Sequence, residues 1–198
     1  LSFGHDVAVK NITSKPVVGQ GYSLSINVTA KNYGIFTETF NVTAYCNDTA
    51  IIQPDEKNFT TITLTSGNFT TATFTWNTSG FANDNYTMSA YATPVPNETD
   101  LDDNNCTDGC ILITRVADFG GPVDYVPTFF ACDGIIDSFD LALFVNCYKR
   151  LAPLEAMYLG DLGGPVDYVP TFFKCDGKVD WADVALFIQC YKGLGPDY

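Results

Sequence analysis

From about residue 5 to residue 115 the chain alternates between apolar and polar side chains with a period of two. In Leu24-Ser25-Ile26-Asn27-Val28 every second residue is apolar, so Asn27 points away from the core, and Asn41 beside Val42 and Ala44 has the same phase. The pattern predicts strands over 5–12, 22–30, 38–46, 59–65, 69–77, 84–92 and 109–115, rich in Val, Ile, Thr, Tyr and Phe. Turn residues such as Val18-Gly19-Gln20-Gly21 and Ser66-Gly67-Asn68 separate them. Seven short strands at this spacing predict an immunoglobulin-type β-sandwich, with Trp76 and Tyr86 as core aromatics.

From residue 117 onward the period changes. Gly120 to Phe130 reads GGPVDYVPTFF, and the same eleven residues recur at Gly163 to Phe173, 43 positions later. The same offset superimposes Asp118 on Asp161, Cys132 on Cys175, Asp133 on Asp176, Asp137 on Asp180, Asp140 on Asp183 and Cys147 on Cys190. The chain therefore holds an internal duplication, repeats 117–151 and 160–194. Helices are predicted over 138–150 and 181–193. Their apolar faces are Phe139, Ala142, Leu143, Cys147 and Leu151, then Ala182, Ala185, Leu186, Cys190 and Leu194. Phe129, Phe130, Phe172 and Phe173 read as fillers of a thin core.

Each repeat carries the string D-G-x-[IV]-D-x-x-D: Asp133 to Asp140, and Asp176 to Asp183. A hard cation requires several oxygens converging from one short loop. The glycine permits the sharp turn, the next residue (Ile135 or Lys178) offers its carbonyl, and the last aspartate falls in the first turn of the helix, where the dipole favours negative charge. The β-branched Ile136 or Val179 is placed to pin each loop to its twin. The alternative is that these aspartates are D-G turns and helix N-caps without a metal.

The repeats resemble dockerin type I repeats, in which an EF-hand-like loop D-x-[ND]-x-D-G-x-[VI]-D-x-x-D feeds a helix. The resemblance implies that Asp133 and Asp176 are the fifth loop position, Asp137 and Asp180 the ninth, and Asp140 and Asp183 the twelfth. Phe129 and Phe172 stand where the first aspartate belongs. Asp118 and Asp161 are assigned that role across a looped-out insertion, and Asp124 or Asp167 would serve as the third donor. Two calcium ions per chain follow. The first half resembles CARDB modules, the Ig-like adhesion-type domains of archaeal and bacterial surface proteins. That resemblance rests on His5-Asp6-Val7-Ala8-Val9, Gly21 to Ile26, Phe74 to Thr78 and Glu98 to Asn105. The implied architecture is a CARDB-like sandwich over 1–115 followed by a dockerin-like domain over 116–198, two EF-hand-like loop–helix repeats.

Charge and composition narrow the function. The net charge of −13 argues against nucleic acid and anionic membranes and suits a cation binder. Ten N-x-S/T sequons (Asn11, Asn27, Asn41, Asn47, Asn58, Asn68, Asn77, Asn85, Asn97 and Asn105) are confined to the first 107 residues, which predicts a glycosylated extracellular or cell-surface protein. The amino terminus lacks a signal sequence, so the expectation is that one has been removed or that the chain is part of a longer one. Duplication of the cysteines favours Cys132–Cys147 and Cys175–Cys190 disulfides, each worth ~3 kcal/mol on the chain-entropy estimate. Cys106–Cys110 or Cys46–Cys110 would pair in the first half, leaving one of seven thiols unpaired.

The expected protein is a non-catalytic, calcium-binding structural or adhesive glycoprotein. Its partner would be further copies of itself, in a filament built by dockerin-to-sandwich contacts, or a cohesin-type domain. The third reading is an accessory to a larger secreted enzyme. Paired carboxylates suit a glycosidase, but these are spaced as cation loops.

Overall fold

Alternation is realised most fully in β3 (Ser23–Asn32), where Leu24, Ile26, Val28, Ala30 and Asn32 are buried and the intervening residues are not. The computed structural model describes residues 4–53, 55–123, 126–130, 132–153, 156–166, 169–172, 175–193 and 195. Before the repeats it contains β1 (Val7–Thr13), β2 (Val17–Gly19), β3, β4 (Glu38–Cys46), β5 (Thr49–Ala50), β6 (Thr60–Leu64), β7 (Phe69–Asn77), β8 (Asn85–Ala92) and β9 (Asn105–Thr114). They form a three-stranded sheet, β1-β3-β7, and a six-stranded sheet, β2-β9-β8-β4-β5 with β6 on β4. The arrangement is sandwich-like. The expected count of seven is short by β2 and β5. Both are two- or three-residue strands, too short to show a period. β5 exists because Asn47 and Asp48 both adopt positive φ (43° and 64°) and return the chain after a two-residue turn.

The chain divides into two compact units. The first comprises Leu1–Lys15, Ser23–Asn77 and Asn85–Ile111. Its core holds Val7, Ile26, Val28, Val42, Phe74, Met88 and Ile111, all fully buried, each such side chain contributing roughly 1.5–3 kcal/mol. Trp76 is buried and meets the half-buried Tyr86 edge to face at 5.4 Å, so both expected core aromatics pack together. Outward residues form cross-strand polar pairs: Thr73 donates to Asn27 Oδ1 (2.8 Å), Thr61 donates to Asn41 Oδ1 (2.7 Å), and Thr29 pairs with Thr71 (3.0 Å).

The second unit comprises Pro16–Tyr22, Thr78–Asp84 and everything from Leu112. Pro16–Tyr22 belongs here because Val17 and Tyr22 join its core, and because Tyr158 Oη donates to the Val17 carbonyl (2.7 Å) and Tyr22 Oη to that of Leu162 (2.5 Å). Thr78–Asp84 is tied to that segment, Thr78 Oγ1 donating to the Tyr22 carbonyl (2.7 Å). The helices are α1 (Ser138–Tyr148) and α2 (Trp181–Tyr191), beginning where expected. The looped-out insertions are β-hairpins: β10 (Gly120–Val123) with β11 (Val126–Phe129), and β12 (Gly163–Val166) with β13 (Val169–Phe172). Pro122 faces Pro127 and Pro165 faces Pro170, so the prolines occupy matched positions in each ladder.

The helix faces differ from expectation by one residue. α1 buries Asp140, Leu143, Phe144 and Cys147, and α2 buries Ala182, Asp183, Leu186, Phe187 and Cys190. Leu151 is 70% exposed, and Leu194 lies outside the described residues. The core is an aromatic stack. Phe144 and Phe187, equivalent residues of the two repeats, lie 4.6 Å apart at 10°, and Phe119 stacks on both. Phe129, Phe130, Phe172, Ile136 and Val179 pack against this stack as expected, and Phe173 lies outside the described residues.

Candidate metal centre

In the first repeat the aspartates are held by the loop's own backbone. Asp118 Oδ2 accepts from Thr114 Oγ1 (2.6 Å) and from the Gly134 amide (2.9 Å). Asp133 Oδ1 accepts from the Ile135 amide (2.9 Å), and Gly134 between them takes φ = 79°, where a side chain is strained. Asp137 caps α1 by accepting from the Phe139 amide (2.7 Å). Asp140 completes a capping box by accepting from the Asp137 amide through Oδ2 (2.9 Å). Its Oδ1 accepts from the amides of Phe119 (2.8 Å) and Gly120 (3.3 Å).

The second repeat rebuilds the same network. Asp161 Oδ2 accepts from Gly177 (2.8 Å), Asp176 from Lys178 (3.0 Å) and Asp180 from Ala182 (2.9 Å). Asp183 accepts from Asp180 (2.8 Å), Leu162 (2.7 Å) and Gly163 (3.1 Å). One difference separates the copies. Met157 stands where the first repeat has Thr114, and Asp161 Oδ1 accepts instead from the Asp176 amide (3.3 Å).

Burial sets the electrostatics. Asp118, Asp140 and Asp183 are at most 1% exposed. Burial pushes the Asp140 and Asp183 carboxyls up to about 6 against the opposing pull of their backbone donors. Burial likewise raises Asp118 and Asp161, with Asp133 and Asp176 adding repulsion. Asp118 Oδ1 is buried with no hydrogen-bond partner. The donors are all hard oxygens, and a buried carboxylate oxygen lacking a donor is the kind of group a cation satisfies. Among the described residues no three Asp, Glu, His or Cys side chains converge closely enough to hold a metal ion. The expected third donors, Asp124 and Asp167, lie outside the described residues. The sequence missed Thr114 and the Phe119 and Leu162 amides, because no residue pattern marks a carboxylate whose partners are backbone groups.

The expected disulfides are not formed; all seven cysteines are thiols. Cys132 and Cys175 donate to the carbonyls of Asp118 (3.3 Å) and Asp161 (3.0 Å), and Cys147 to that of Ala156 (3.7 Å). Cys106 and Cys110 lie four residues apart in β9 and are not bonded to each other. Cys46 is paired with Met88, whereas the Cys110 sulfur lies 3.7 Å from Thr87, so those two thiols point to opposite faces of the sheet. Cys110 and Cys175 are both exposed, but burial of the sulfur and the Asp161 charge push the Cys175 thiol up to about 12. Cys110 is expected to react with maleimide at pH 7.5 on the order of a hundredfold faster than Cys175. Mass mapping of the modified peptides checks this, and equal rates would contradict the thiol environment described.

Eight of the ten sequon asparagines are exposed, and Asn27 and Asn41 are half-buried. The fully buried asparagines, Asn32 and Asn104, belong to no sequon.

No protein-family model and no curated protein matches the chain. Solved structures do. The crystal structure of a CARDB domain from Pyrococcus furiosus, described as a complex with di-metal ions, matches at 23% identity and a TM-score of 0.46, covering 58% of this chain and 93% of that domain. The solution structure of that domain matches at 24% identity and a TM-score of 0.44, covering 57% and 97%. A Listeria innocua β-glucosidase in complex with isofagomine matches at 18% identity and a TM-score of 0.38, covering 55% of this chain and 16% of the enzyme.

Proposed function

We propose that the chain is a non-catalytic, extracellular calcium-binding glycoprotein whose duplicated loops each hold one ion. The observation that carries the reading is the repetition: four aspartates in each copy, the same backbone donors on each, and a left-handed glycine at the same place in both (φ 79° and 81°). A metal-free turn needs an aspartate to cap the helix. It does not need a second aspartate brought back from across a hairpin, as Asp118 (buried) and Asp161 (half-buried) are. Among the described residues the carboxylates do not converge closely enough to hold an ion. Closure of each loop about its ion would bring Asp118, Asp133, Asp137 and Asp140 together with the Ile135 carbonyl at one site, and Asp161, Asp176, Asp180 and Asp183 with the Lys178 carbonyl at the other. The ion would neutralise carboxylates that burial otherwise disfavours as anions.

The exposed sequons support placement at a cell surface or in an extracellular matrix, where the first unit acts as a glycan-carrying spacer. The second unit supplies the docking element, for further copies of the chain or for a cohesin-type partner.

Calorimetric titration of calcium into chelator-stripped protein tests the reading, with melting followed in calcium and in chelator. Ions bound by the repeats are expected to disappear in the double variant Asp133→Asn/Asp176→Asn. At a hundredfold excess over Kd each would stabilise the second unit by about 2.7 kcal/mol. A double variant that binds as many ions as the parent would reduce the aspartates to turn chemistry. Light scattering in the same titration reads assembly.

A further inference from the structure

A second set of oxygens lies in the first unit, away from the repeats. Its scaffold is Glu98. One carboxylate oxygen of Glu98 accepts from the Val7 amide (2.8 Å) and from Asn104 Nδ2 (3.1 Å), and the other from the Val95 amide (2.7 Å). Asn104 Nδ2 also donates to the Val7 carbonyl (2.8 Å), and the Val9 amide donates to the Asp103 carbonyl (2.9 Å). The segment 98–104 is thereby fastened along the start of β1. Asp6, one residue before Val7, is anchored from the other side, where its carbonyl accepts from the amides of Tyr33 (2.9 Å) and Gly34 (3.1 Å). Residue 34 must be glycine, because a Cβ there would lie 2.9 Å from the Asp6 nitrogen.

This fastening leaves three side-chain oxygens without a partner on the two joined segments, and the Asp6 carboxyl feels the charge of Asp103. Oδ1 of Asp6, of Asp103 and of Asn104 are each buried, and none has a hydrogen-bond partner. Asp6 is 3% exposed and Asn104 is 0%. Three acceptors without a donor are costly: an unpaired buried polar group loses roughly 1–3 kcal/mol, and a charged one more. The ion pairs found among the described residues, His5–Glu38 and Lys57–Asp55, bring no basic side chain to these oxygens. Burial, then the Asp103, Asp100 and Glu98 charges, push the Asp6 carboxyl up to about 6. Burial and Asp100 also raise Asp103. Two carboxylates and an amide carbonyl, hard oxygens all, are what a calcium-class ion takes, with water completing its shell.

We propose that Asp6, Asp103 and Asn104 form a divalent-cation site in the first unit, with Asp100 at its rim, which ties β1 to the segment that leads into β9. It differs in kind from a cluster of three carboxylates, which the described residues lack. It is also independent of the duplicated loops.

The test is calcium calorimetry on the full chain carrying Asp133→Asn/Asp176→Asn, so that ions at the repeats do not contribute. One ion per chain is expected to remain. Adding Asp6→Asn/Asp103→Asn should abolish it, and should raise the melting temperature in chelator because two repelling charges are gone. If that variant does not fold, Asp103→Asn alone reads the same site and should weaken calcium at least tenfold. Binding unchanged by the Asp6 and Asp103 substitutions, or no ion left once the repeats are disabled, would overturn the proposal. Because the repeats and this site are disabled separately, failure of one leaves the other readable.

Discussion

Asp140→Ala is expected to unfold most of the second unit in chelator, and Asp183→Ala to do the same. Each carboxylate accepts from three backbone amides: Asp137, Phe119 and Gly120 for one, Asp180, Leu162 and Gly163 for the other. Both side chains are buried, so alanine leaves three donors facing no acceptor and no bulk water. At 1–3 kcal/mol per stranded donor, with the long 3.3 Å contact at the low end, the cost is roughly 3–6 kcal/mol. The repulsion released by removing a carboxyl raised by burial offsets only part of it. Aspartate-to-asparagine is the informative partner. Asparagine keeps one acceptor oxygen but turns an NH₂ toward an amide, so it should fall between wild type and alanine. Amide hydrogen exchange at Phe119 and Gly120 reads the effect directly. Protected amides in Asp140→Ala, with unchanged melting, would show that the carboxylate does not hold this junction.

Phe187→Ala should cost about 3–5 kcal/mol, the usual range for emptying a buried aromatic site. Phe187 touches Phe119 at 5.7 Å, Phe144 at 4.6 Å and Tyr191 at 6.2 Å between centroids, so its removal opens the centre of the stack. A unit of this size has few other apolar contacts into which the loss can be spread. Ile188→Ala, one residue away and 45% exposed, should change stability by a few tenths of a kcal/mol. Urea denaturation of the two variants separates the cases, and equal midpoints would contradict the packing described.

These residues also show what hydropathy makes legible and what it does not. The strands of the first unit were readable because one face of each is buried and the other is not, as in β3 and β7. The helix starts were readable because Asp137 and Asp180 cap them. The buried helix face was misjudged by one residue because it includes an aspartate. A scan for apolar stripes excludes Asp140 and so favours Phe139 and Ala142 over Phe144. The hairpins were missed for a related reason: their Gly-Gly-Pro opening and paired prolines read as loop, although they form regular two-stranded ladders. Asp6 and Asn104 were invisible as site residues because burial of a polar side chain depends on long-range contacts, here between residues about 97 apart in the chain.

The Phe144–Phe187 contact joins a residue to its own counterpart one repeat along. A surface that recognises itself in this way is what a twofold dimer uses. A single repeat would have to meet a second molecule to bury this ring, and its assembly would depend on dilution. Fusing the two copies in one polypeptide removes that dependence, because the tether fixes the local concentration of the partner half at about the millimolar level that short connections provide. The second unit has in this sense the geometry of a dimer carried on one polypeptide, with the aromatic pair at its centre.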